Sequence, residues 1–333
     1  MHAFPARHGR ARRAVAASAA AVFGLLAGCS TGAEPSPAPR EQDGPVQVGA
    51  IMYARDLEFW QLVEAGMRDA SRELDVPINV DVSNRQLQTE SQLIDTMYAR
   101  GDNVLIAAPI DLAASAANLE RARERGTTIV QYDNRVDDPS FEHFVGVDQT
   151  ALGEALGRAA QAHLDANYGG RAKVALLTGD TEPNGPPRRE AFLREVPGAD
   201  VVTSAEAVGS PEAGARAFET VLQSNPDIQV LWAWNGAALQ GAAIAAERVG
   251  AQVEIFGIDM SRQVADLMAT PGSPVVAVAD QHAYDVGYSA VRTGVLLARG
   301  EDVPPTTNVQ PTLFTVDDPA ALESFRAELA EIQ

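Results

Sequence analysis

The stretch Thr127–Gly153, TTIVQYDNRVDDPSFEHFVGVDQTALG, contains two short apolar segments that each end on a carboxylate. Thr127–Tyr132 is followed by Asp133, and Phe144–Val147 is followed by Asp148. The pattern predicts two buried strands, with a helix after the second. In open α/β sheets, ligands bind at the carboxyl ends of the strands, so both aspartates are candidate ligand groups. Aspartate also favours turns and helix N-caps, and that alternative stays open for each residue taken alone.

The rest of the chain from Val46 alternates strand-like and helix-like patterns. NVLIAAP at 103–109 predicts a buried strand, and Asp111–Arg125 predicts a helix that Gly126 ends. Strands that alternate with helices indicate parallel sheets built from β-α-β units. With 333 residues and a natural division near Asp148, we expect an α/β fold of two similar, doubly wound parallel-sheet lobes.

The first residues predict a targeting segment. Four arginines precede the apolar run Ala14–Leu26, which has about the length of a signal-peptide core and is too short to span a bilayer. Leu26-Ala27-Gly28-Cys29 resembles the lipobox of bacterial lipoproteins. We therefore predict a lipoprotein signal peptide over residues 1–28, lipidation of Cys29, and a linker over residues 29–45. The protein would be extracytoplasmic, lipid-anchored to the outer face of the cell membrane, or periplasmic. An ordinary secretory signal or an uncleaved anchor is the alternative.

Composition excludes several classes of function. The formal net charge is −19, whereas a nucleic-acid binder needs a basic surface, so we expect no nucleic-acid partner. A single cysteine allows neither a disulfide framework nor a cysteine metal site. The chain has no GxGxxG after a strand, no GxxxxGK[ST], no GxSxG and no HExxH. Asp133 and Asp148 could in principle form a glycosidase pair, but nothing else supports that reaction. We expect no enzyme, no catalytic residue, no metal and no cofactor.

Polar and aromatic side chains recur at the predicted carboxyl ends of strands in both halves of the chain. Carboxylates and amides on rigid strand ends can pair with sugar hydroxyls, and aromatic rings can cover the apolar face of a pyranose. Taken singly, the aromatic residues could belong to the core and the polar ones could cap helices. The candidates for ligand contact are Phe59, Trp60, Asp133, Asn134, Asp148, Asn184, Trp234, Asn235, Asp259 and Gln281.

Several segments resemble the periplasmic sugar-binding proteins of the ribose, xylose and galactose type, and the resemblance extends from Val46 to about Thr315. The segments are Phe59-Trp60, VQYDN (130–134), VGVDQTALG (145–153), PDIQVLWAWN (226–235), FGID (256–259) and ADQ (279–281). The resemblance implies that a ligand is trapped between two lobes and delivered to an ABC permease. It implies hydroxyl contacts by Asp133, Asn235, Asp259 and Gln281, and a hinge-side position for Asp148.

Two more positions follow from this resemblance, and a few depart from it. Arg188 matches an arginine that precedes a helix in many members, and Asn184, four residues before it, is similar to the arrangement of the xylose binders. Ribose binders carry an asparagine and two ligand-gripping arginines at the positions held here by Ala108, Asn134 and Pro186. Several contacts of the ribose type are therefore missing or are supplied from elsewhere in the chain.

The implied fold is that of type I periplasmic binding proteins, with a three-crossing hinge near Asp148, Gln281–His282 and residues 305–312. The N-terminal lobe would comprise residues 46–147 plus 282–308, and the C-terminal lobe residues 148–281 plus 309–333. The expected function is a lipid-anchored, monomeric solute-binding protein that delivers a monosaccharide or polyol to an ABC permease. The alternative is a ligand sensor of the same fold that binds a nucleoside or furanosyl signal for a membrane receptor.

Overall fold

The computed structural model describes residues 44–136 and 138–332. The predicted signal peptide, the lipidation site Cys29 and the linker up to residue 43 lie outside these residues. The elements are β1 (Val48–Met52), α1 (Glu58–Glu73), β2 (Ile78–Val82), α2 (Leu87–Arg100), β3 (Val104–Ala107), α3 (Ala114–Glu124), β4 (Thr128–Tyr132), β5 (Phe144–Gly146), α4 (Gln149–Asn167), β6 (Ala172–Thr178), α5 (Gly185–Glu195), β7 (Ala199–Glu206), α6 (Pro211–Ser224), β8 (Val230–Ala233), α7 (Gly236–Val249), β9 (Glu254–Ile258), α8 (Arg262–Met268), β10 (Val275–Asp280), α9 (Ala283–Ala298), β11 (Thr306–Asn308), β12 (Thr312–Thr315) and α10 (Pro319–Ile332).

The strands form two six-stranded sheets, in the orders β11-β5-β4-β3-β1-β2 and β12-β10-β9-β8-β6-β7. Strands β1, β3 and β8 are buried along their whole length, which explains why they are continuous apolar runs in the sequence. We call the first sheet with α1, α2, α3 and α9 the first lobe, and the second sheet with α4–α8 and α10 the second lobe. The predicted α/β fold with two similar sheets is confirmed.

The last two strands differ from the prediction. β12 pairs antiparallel with β10, with Thr312 opposite Asp280 and Thr315 opposite Ala277, so the second sheet is mixed and not wholly parallel. The sequence places a hinge crossing near residues 305–312 and predicts no strand there, but Thr306–Asn308 forms β11, which pairs in parallel with β5 at the edge of the first sheet. Three residues are too few to show a periodic pattern, and the direction of an edge strand depends on where the chain arrives.

Three connections join the two sheets: between β5 and β6, between β10 and β11, and between β11 and β12. After β10 the chain returns to the first lobe through α9, which packs against α1. Glycines allow these helices to touch, because a Cβ on Gly66 would lie 2.0 Å from the carbonyl oxygen of Tyr284, and one on Gly287 would lie 2.0 Å from that of Val63. The expected lobe boundaries are consistent with these connections and stay a proposal. Across the described ranges, no helix is both long and apolar enough to cross a membrane.

Candidate ligand-binding cleft

A cleft of about 610 Å³, counted with the solvent space at its mouth, lies between the carboxyl ends of the strands of the two lobes. Every predicted ligand residue except Asp148 lines it. The residues that the sequence analysis did not include are Tyr53, Leu57, Arg85, Glu182, Pro183, Val208 and Gly209.

Aromatic rings of the first lobe form one wall of the cleft. The first turn of α1 carries Phe59 and Trp60, whose rings meet edge to face with centroids 5.0 Å apart. The ring of Tyr53 stacks on Trp60 at 5.6 Å with an interplanar angle of 23°. Trp60 is buried and Phe59 is half-buried, so Phe59 offers more of its ring to the cleft. This wall can cover the apolar face of a ring-shaped ligand.

Trp234 is the aromatic residue on the opposite lobe. Its indole Nε1 donates to the carbonyl of Ala207 at 2.7 Å, which holds the ring in place at the end of β8. The neighbouring Trp232 is fully buried in the core and packs against Phe192, with ring centroids 5.6 Å apart. Only one of the two tryptophans of this strand therefore faces the cleft.

Asp133 stands at the end of β4 with a left-handed backbone, φ +60°. Aspartate and asparagine adopt this conformation more readily than other non-glycine residues, but it is still uncommon and typical of functional sites. The side chain is half-buried, and no hydrogen bond to its carboxylate is found within the described ranges. Its neighbour Asn134 is buried and donates from Nδ2 to the carbonyl of Pro109 at 3.0 Å. Asn134 thus fixes the loop that follows β4. The carboxylate oxygens of Asp133 stay available to accept hydrogen bonds from a ligand.

The electrostatic surroundings of Asp133 disfavour its charge. Burial raises the pKa of the Asp133 carboxyl to about 6, because an ionised carboxylate loses hydration in the cleft. The guanidinium of Arg188 acts in the opposite direction, and the carboxylates of Asp259 and Glu182 raise the pKa further. A ligand that donates hydrogen bonds to Asp133 would replace the missing hydration.

Arg188 is the buried cation of the cleft, 3% exposed in the second turn of α5. Its Nε donates to Oε1 of Gln149 at 2.7 Å, and its Nη1 donates to the carbonyl of Trp234 at 3.1 Å. Burial lowers the pKa of the guanidinium, while Asp259 and Asp133 raise it, and arginine stays protonated under all ordinary conditions. These bonds hold the guanidinium of Arg188 in a fixed position at the wall of the cleft.

Asp259 follows β9, also with a left-handed backbone, φ +72°. Its Oδ2 accepts from the backbone N–H of Gly236 at 2.9 Å, and its Oδ1 accepts from Nε2 of Gln281 at 2.6 Å. The Oε1 of Gln281 in turn accepts from Nε2 of Gln149 at 3.2 Å. Asp259 and Gln281 are therefore both held in position before any ligand arrives, which reduces the entropy lost on binding.

Asn235 and Asn184 occupy the N-termini of two helices. The Oδ1 of Asn235 accepts from the N–H of Ala238 at 3.0 Å and so caps α7. The cap uses only the oxygen of the side-chain amide and does not use the donor Nδ2. Asn184 precedes α5 but makes no side-chain capping bond. Asn235 thus combines the cap role and the cleft position that the sequence analysis treated as alternatives.

Asp148 is a correction to the predicted ligand set. It is exposed and does not line the cleft. Its Oδ1 accepts from the N–H groups of Thr150 and Ala151 at 2.9 and 3.1 Å, so its carboxylate caps α4. The two free N–H groups of the first helical turn attract the carboxylate of the residue before the helix. We therefore exclude Asp148 from the ligand-binding residues.

Three charged or polar residues of the cleft were missed as ligand residues. Arg85 lies after β2 with φ +60°, and its Nη1 and Nη2 donate to the two carboxylate oxygens of Asp56 at 3.0 and 2.9 Å. Tyr53 follows β1, and its hydroxyl donates to Oε2 of Glu182 at 2.8 Å. Tyr53 and Arg85 each follow a strand, and this position was the signal in the sequence that could have identified them. The contact between Tyr53 and Glu182 depends on how the two lobes face each other.

The charges of the cleft do not cancel. Asp133, Glu182 and Asp259 are three carboxylates, while Arg188 is one buried guanidinium. The second arginine, Arg85, is engaged by Asp56 through both terminal nitrogens. No group of three or more His, Cys, Asp or Glu side chains that could hold a metal ion occurs in the part of the chain that the structure describes. The lining therefore presents more carboxylates than guanidinium groups, and a ligand that donates hydrogen bonds would match it.

A family model described as a periplasmic binding protein domain matches residues 48–302. The ABC transporter periplasmic-binding protein YphF of Escherichia coli is 25% identical over 238 residues, which are 68% of this chain and 72% of the relative. The D-ribose/D-allose-binding protein of Pseudomonas aeruginosa is 22% identical over 292 residues, 83% of this chain and 90% of the relative.

Solved structures share the fold. A carbohydrate transporter solute-binding protein from Agrobacterium radiobacter in complex with D-arabinose matches with a TM-score of 0.77 and 21% identity, over 85% of this chain and 99% of that chain. An ABC transporter solute-binding protein from Bacillus halodurans with bound myo-inositol matches with a TM-score of 0.74 and 22% identity, over 86% and 99%. The matched family and its members are substrate-binding transport proteins and not enzymes, which confirms the expectation that the chain is not an enzyme.

Proposed function

The chain belongs to the periplasmic binding protein domain family, and from this premise we propose that it is a lipid-anchored solute-binding protein for a monosaccharide or polyol. It captures the ligand between its two lobes and delivers it to an ABC permease. The observation that carries the proposal is the composition of the cleft, which combines aromatic rings with carboxylates, amides and a guanidinium from both lobes.

The polar groups of the cleft suit the hydroxyls of a sugar. A hydroxyl both donates and accepts, so it pairs with an acceptor such as Asp133 and with a donor such as Arg188 or the amide of Asn235. Hydrogen bonds to charged groups are the stronger ones, and each contributes about 1.5–3 kcal/mol net. Asp259 and Gln281 are pre-positioned by their own hydrogen bond, and Trp60 and Trp234 line the cleft from the two lobes.

The excess of carboxylates over guanidinium groups in the cleft disfavours anionic ligands. An anionic group, such as a sugar acid or a sugar phosphate, would approach Asp133, Glu182 and Asp259 with only Arg188 to balance it. Like charges in a half-buried site are unfavourable, because the local dielectric constant is lower than that of water. We therefore propose a neutral sugar or polyol.

The finer parts of the proposal rest on the sequence. The lipid anchor on Cys29, the signal peptide over residues 1–28 and the place outside the cytoplasm follow from the lipobox-like motif. The permease as partner and the monomeric state follow from the resemblance. Relatives that are named as binding proteins for ribose, allose and xylose support transport of a sugar.

Isothermal titration calorimetry tests the function. The chain is titrated with ribose, xylose, galactose, glucose, myo-inositol, galacturonate and nucleosides. We expect binding of a neutral sugar or polyol, no binding of galacturonate, and a loss of at least about tenfold in affinity in Asp133→Asn and in Asn235→Ala. Binding of nucleosides alone would favour the sensor alternative, and unchanged affinity in Asp133→Asn would show that the cleft assignment is wrong.

Asp148→Asn is the matched control for Asp133→Asn. The same chemical change at the exposed cap of α4 leaves the cleft untouched, since Asp148 lies outside it. Asparagine also caps helices well, so the variant keeps its fold. Its affinity for each sugar should equal that of the unchanged chain.

A further inference from the structure

Among the residues that the structure describes, two hydrogen-bonded contacts join the lobes across the cleft. The hydroxyl of Tyr53 in the first lobe donates to Oε2 of Glu182 in the second lobe at 2.8 Å. The backbone N–H of Arg262 in the second lobe donates to the two carboxylate oxygens of Glu58 in the first lobe at 3.1 and 3.0 Å. The sequence separations are 129 and 204 positions, so only the approach of the two lobes brings the partners together.

Both contacts are charge-assisted and partly removed from water. The Tyr53 bond is partly buried, and its ring is fixed by stacking on Trp60 at 5.6 Å. Burial raises the pKa of the Tyr53 hydroxyl, and the carboxylate of Glu182 raises it further, so the hydroxyl stays a donor at any ordinary pH. Glu58, in the first turn of α1, is likewise partly buried where it meets the N–H of Arg262. Hydrogen bonds to ionised acceptors are about twice as strong as neutral ones.

We propose that these two contacts, Tyr53–Glu182 and Glu58–Arg262, form an interlobe latch that sets how much of the protein is closed before a ligand binds. We call them the cleft latch and the outer latch. Opening the lobes separates both pairs, whereas the bonds within each lobe stay intact. The latch residues are positioning residues, since they act through the distance between the lobes.

The closed fraction of the ligand-free protein affects the binding of every ligand. The apparent affinity for any ligand that requires the closed form is multiplied by the fraction of protein that is closed. Loss of one charged hydrogen bond lowers the closed-to-open ratio by about tenfold. Variants of the outer latch, whose residues do not line the cleft, would therefore weaken all ligands by the same factor, whereas variants of a ligand contact such as Asp133 discriminate between ligands.

The test uses the full chain without any ligand, after removal of bound small molecules by unfolding, dialysis and refolding. The chain has three tryptophans, and Trp60 and Trp234 line the cleft while Trp232 is in the core. Each is at most 7% exposed when the lobes are closed. Quenching of their fluorescence by acrylamide therefore reports opening, and the radius of gyration from small-angle X-ray scattering provides an independent measure.

Tyr53→Phe is the central variant, because it removes the hydroxyl and keeps the ring that stacks on Trp60. Tyr284→Phe is its matched control. The Tyr284 hydroxyl donates to Oδ2 of Asp69 at 2.9 Å in a partly buried tyrosine–carboxylate bond, but both residues belong to the first lobe. Glu58→Ala removes the outer latch from a different element, so the proposal does not depend on the folding of a single variant.

We expect Tyr53→Phe and Glu58→Ala each to increase the acrylamide quenching constant and the radius of gyration, and Tyr284→Phe to change neither. In the double variant the closed fraction should fall further. If Tyr53→Phe and Glu58→Ala both match the unchanged chain, or if Tyr284→Phe opens the protein as they do, the latch does not exist. Because no ligand is added, this outcome is independent of the result of the sugar titrations.

Discussion

Replacing Asp133 by asparagine is expected to stabilise the ligand-free protein at pH 8 and to change its stability much less at pH 4. The carboxyl has a pKa of about 6 in the folded chain against 3.8 for the ordinary side chain, because burial disfavours its charge. A folded pKa above the unfolded value means that ionisation costs folding free energy. Asparagine has the same shape and no charge to bury.

The sign and size follow from the two pKa values. Below about pH 4 the carboxyl is protonated in both states, so Asp133 carries no charge penalty. As the pH rises, the unfolded chain ionises first and stability falls, until the penalty is complete above about pH 6. A shift of about two units corresponds to roughly 3 kcal/mol. The unpaired carboxylate that lowers the stability of the protein is also the acceptor to which the hydroxyls of a ligand can donate.

Thermal unfolding followed by circular dichroism at pH 4, 6 and 8 measures this difference. For a chain of this size 1 kcal/mol moves Tm by about 2 °C, so Asp133→Asn should melt about 6 °C higher than the unchanged chain at pH 8. Asparagine is chosen because the position has φ +60°, where alanine would add backbone strain. A difference in Tm that is the same at pH 4 and pH 8, or a less stable variant at pH 8, would refute the reasoning. Asp148→Asn, at the exposed cap, should show no such pH dependence.

Four further substitutions test separate parts of the structure. Asn235→Ala and Asp148→Ala each remove a helix cap and should each cost about 1 kcal/mol in urea unfolding, but only Asn235→Ala should weaken sugar binding in calorimetry. Glu90→Ala leaves three donors without their buried acceptor and should destabilise the chain by about 3 kcal/mol in urea, without changing the affinity of the cleft per folded molecule. Gly287→Ala places a methyl group 2.0 Å from the carbonyl oxygen of Val63, so Tm should fall by several degrees as α1 and α9 separate.

Much of the candidate cleft could be predicted from the sequence, because parallel strands deliver their carboxyl ends to one edge of a sheet. Apolar runs such as Thr128–Tyr132 mark buried strands, and a polar residue that follows such a run, here Asp133, comes to lie at that edge. Asp133, Asn235 and Asp259 were placed by this rule. The left-handed backbones of Asp133 and Asp259 were not predictable, since nothing in a local pattern shows the sign of φ.

The position of Asp148 at a strand end also explains why it was predicted to contact the ligand although it lies outside the cleft. A carboxylate at a strand end can turn to the ligand or to the first N–H groups of the next helix, and the sequence is the same in both cases. Asp148 caps α4, and its two hydrogen bonds to that helix leave it outside the cleft. Asn235 caps α7 by the same bond and still lines the cleft, because α7 begins beside it.

The sequence by itself determined the α/β class, the two halves and the family resemblance, since hydrophobic periodicity and strand-end polarity are local properties of the chain. Only the tertiary structure decided the antiparallel pairing of β12, the engagement of Arg85 by Asp56, and the contact of Tyr53 with Glu182. Each of these depends on the distance between groups far apart in sequence. That distance is set by how the two sheets face one another, and no periodic pattern along one segment contains it.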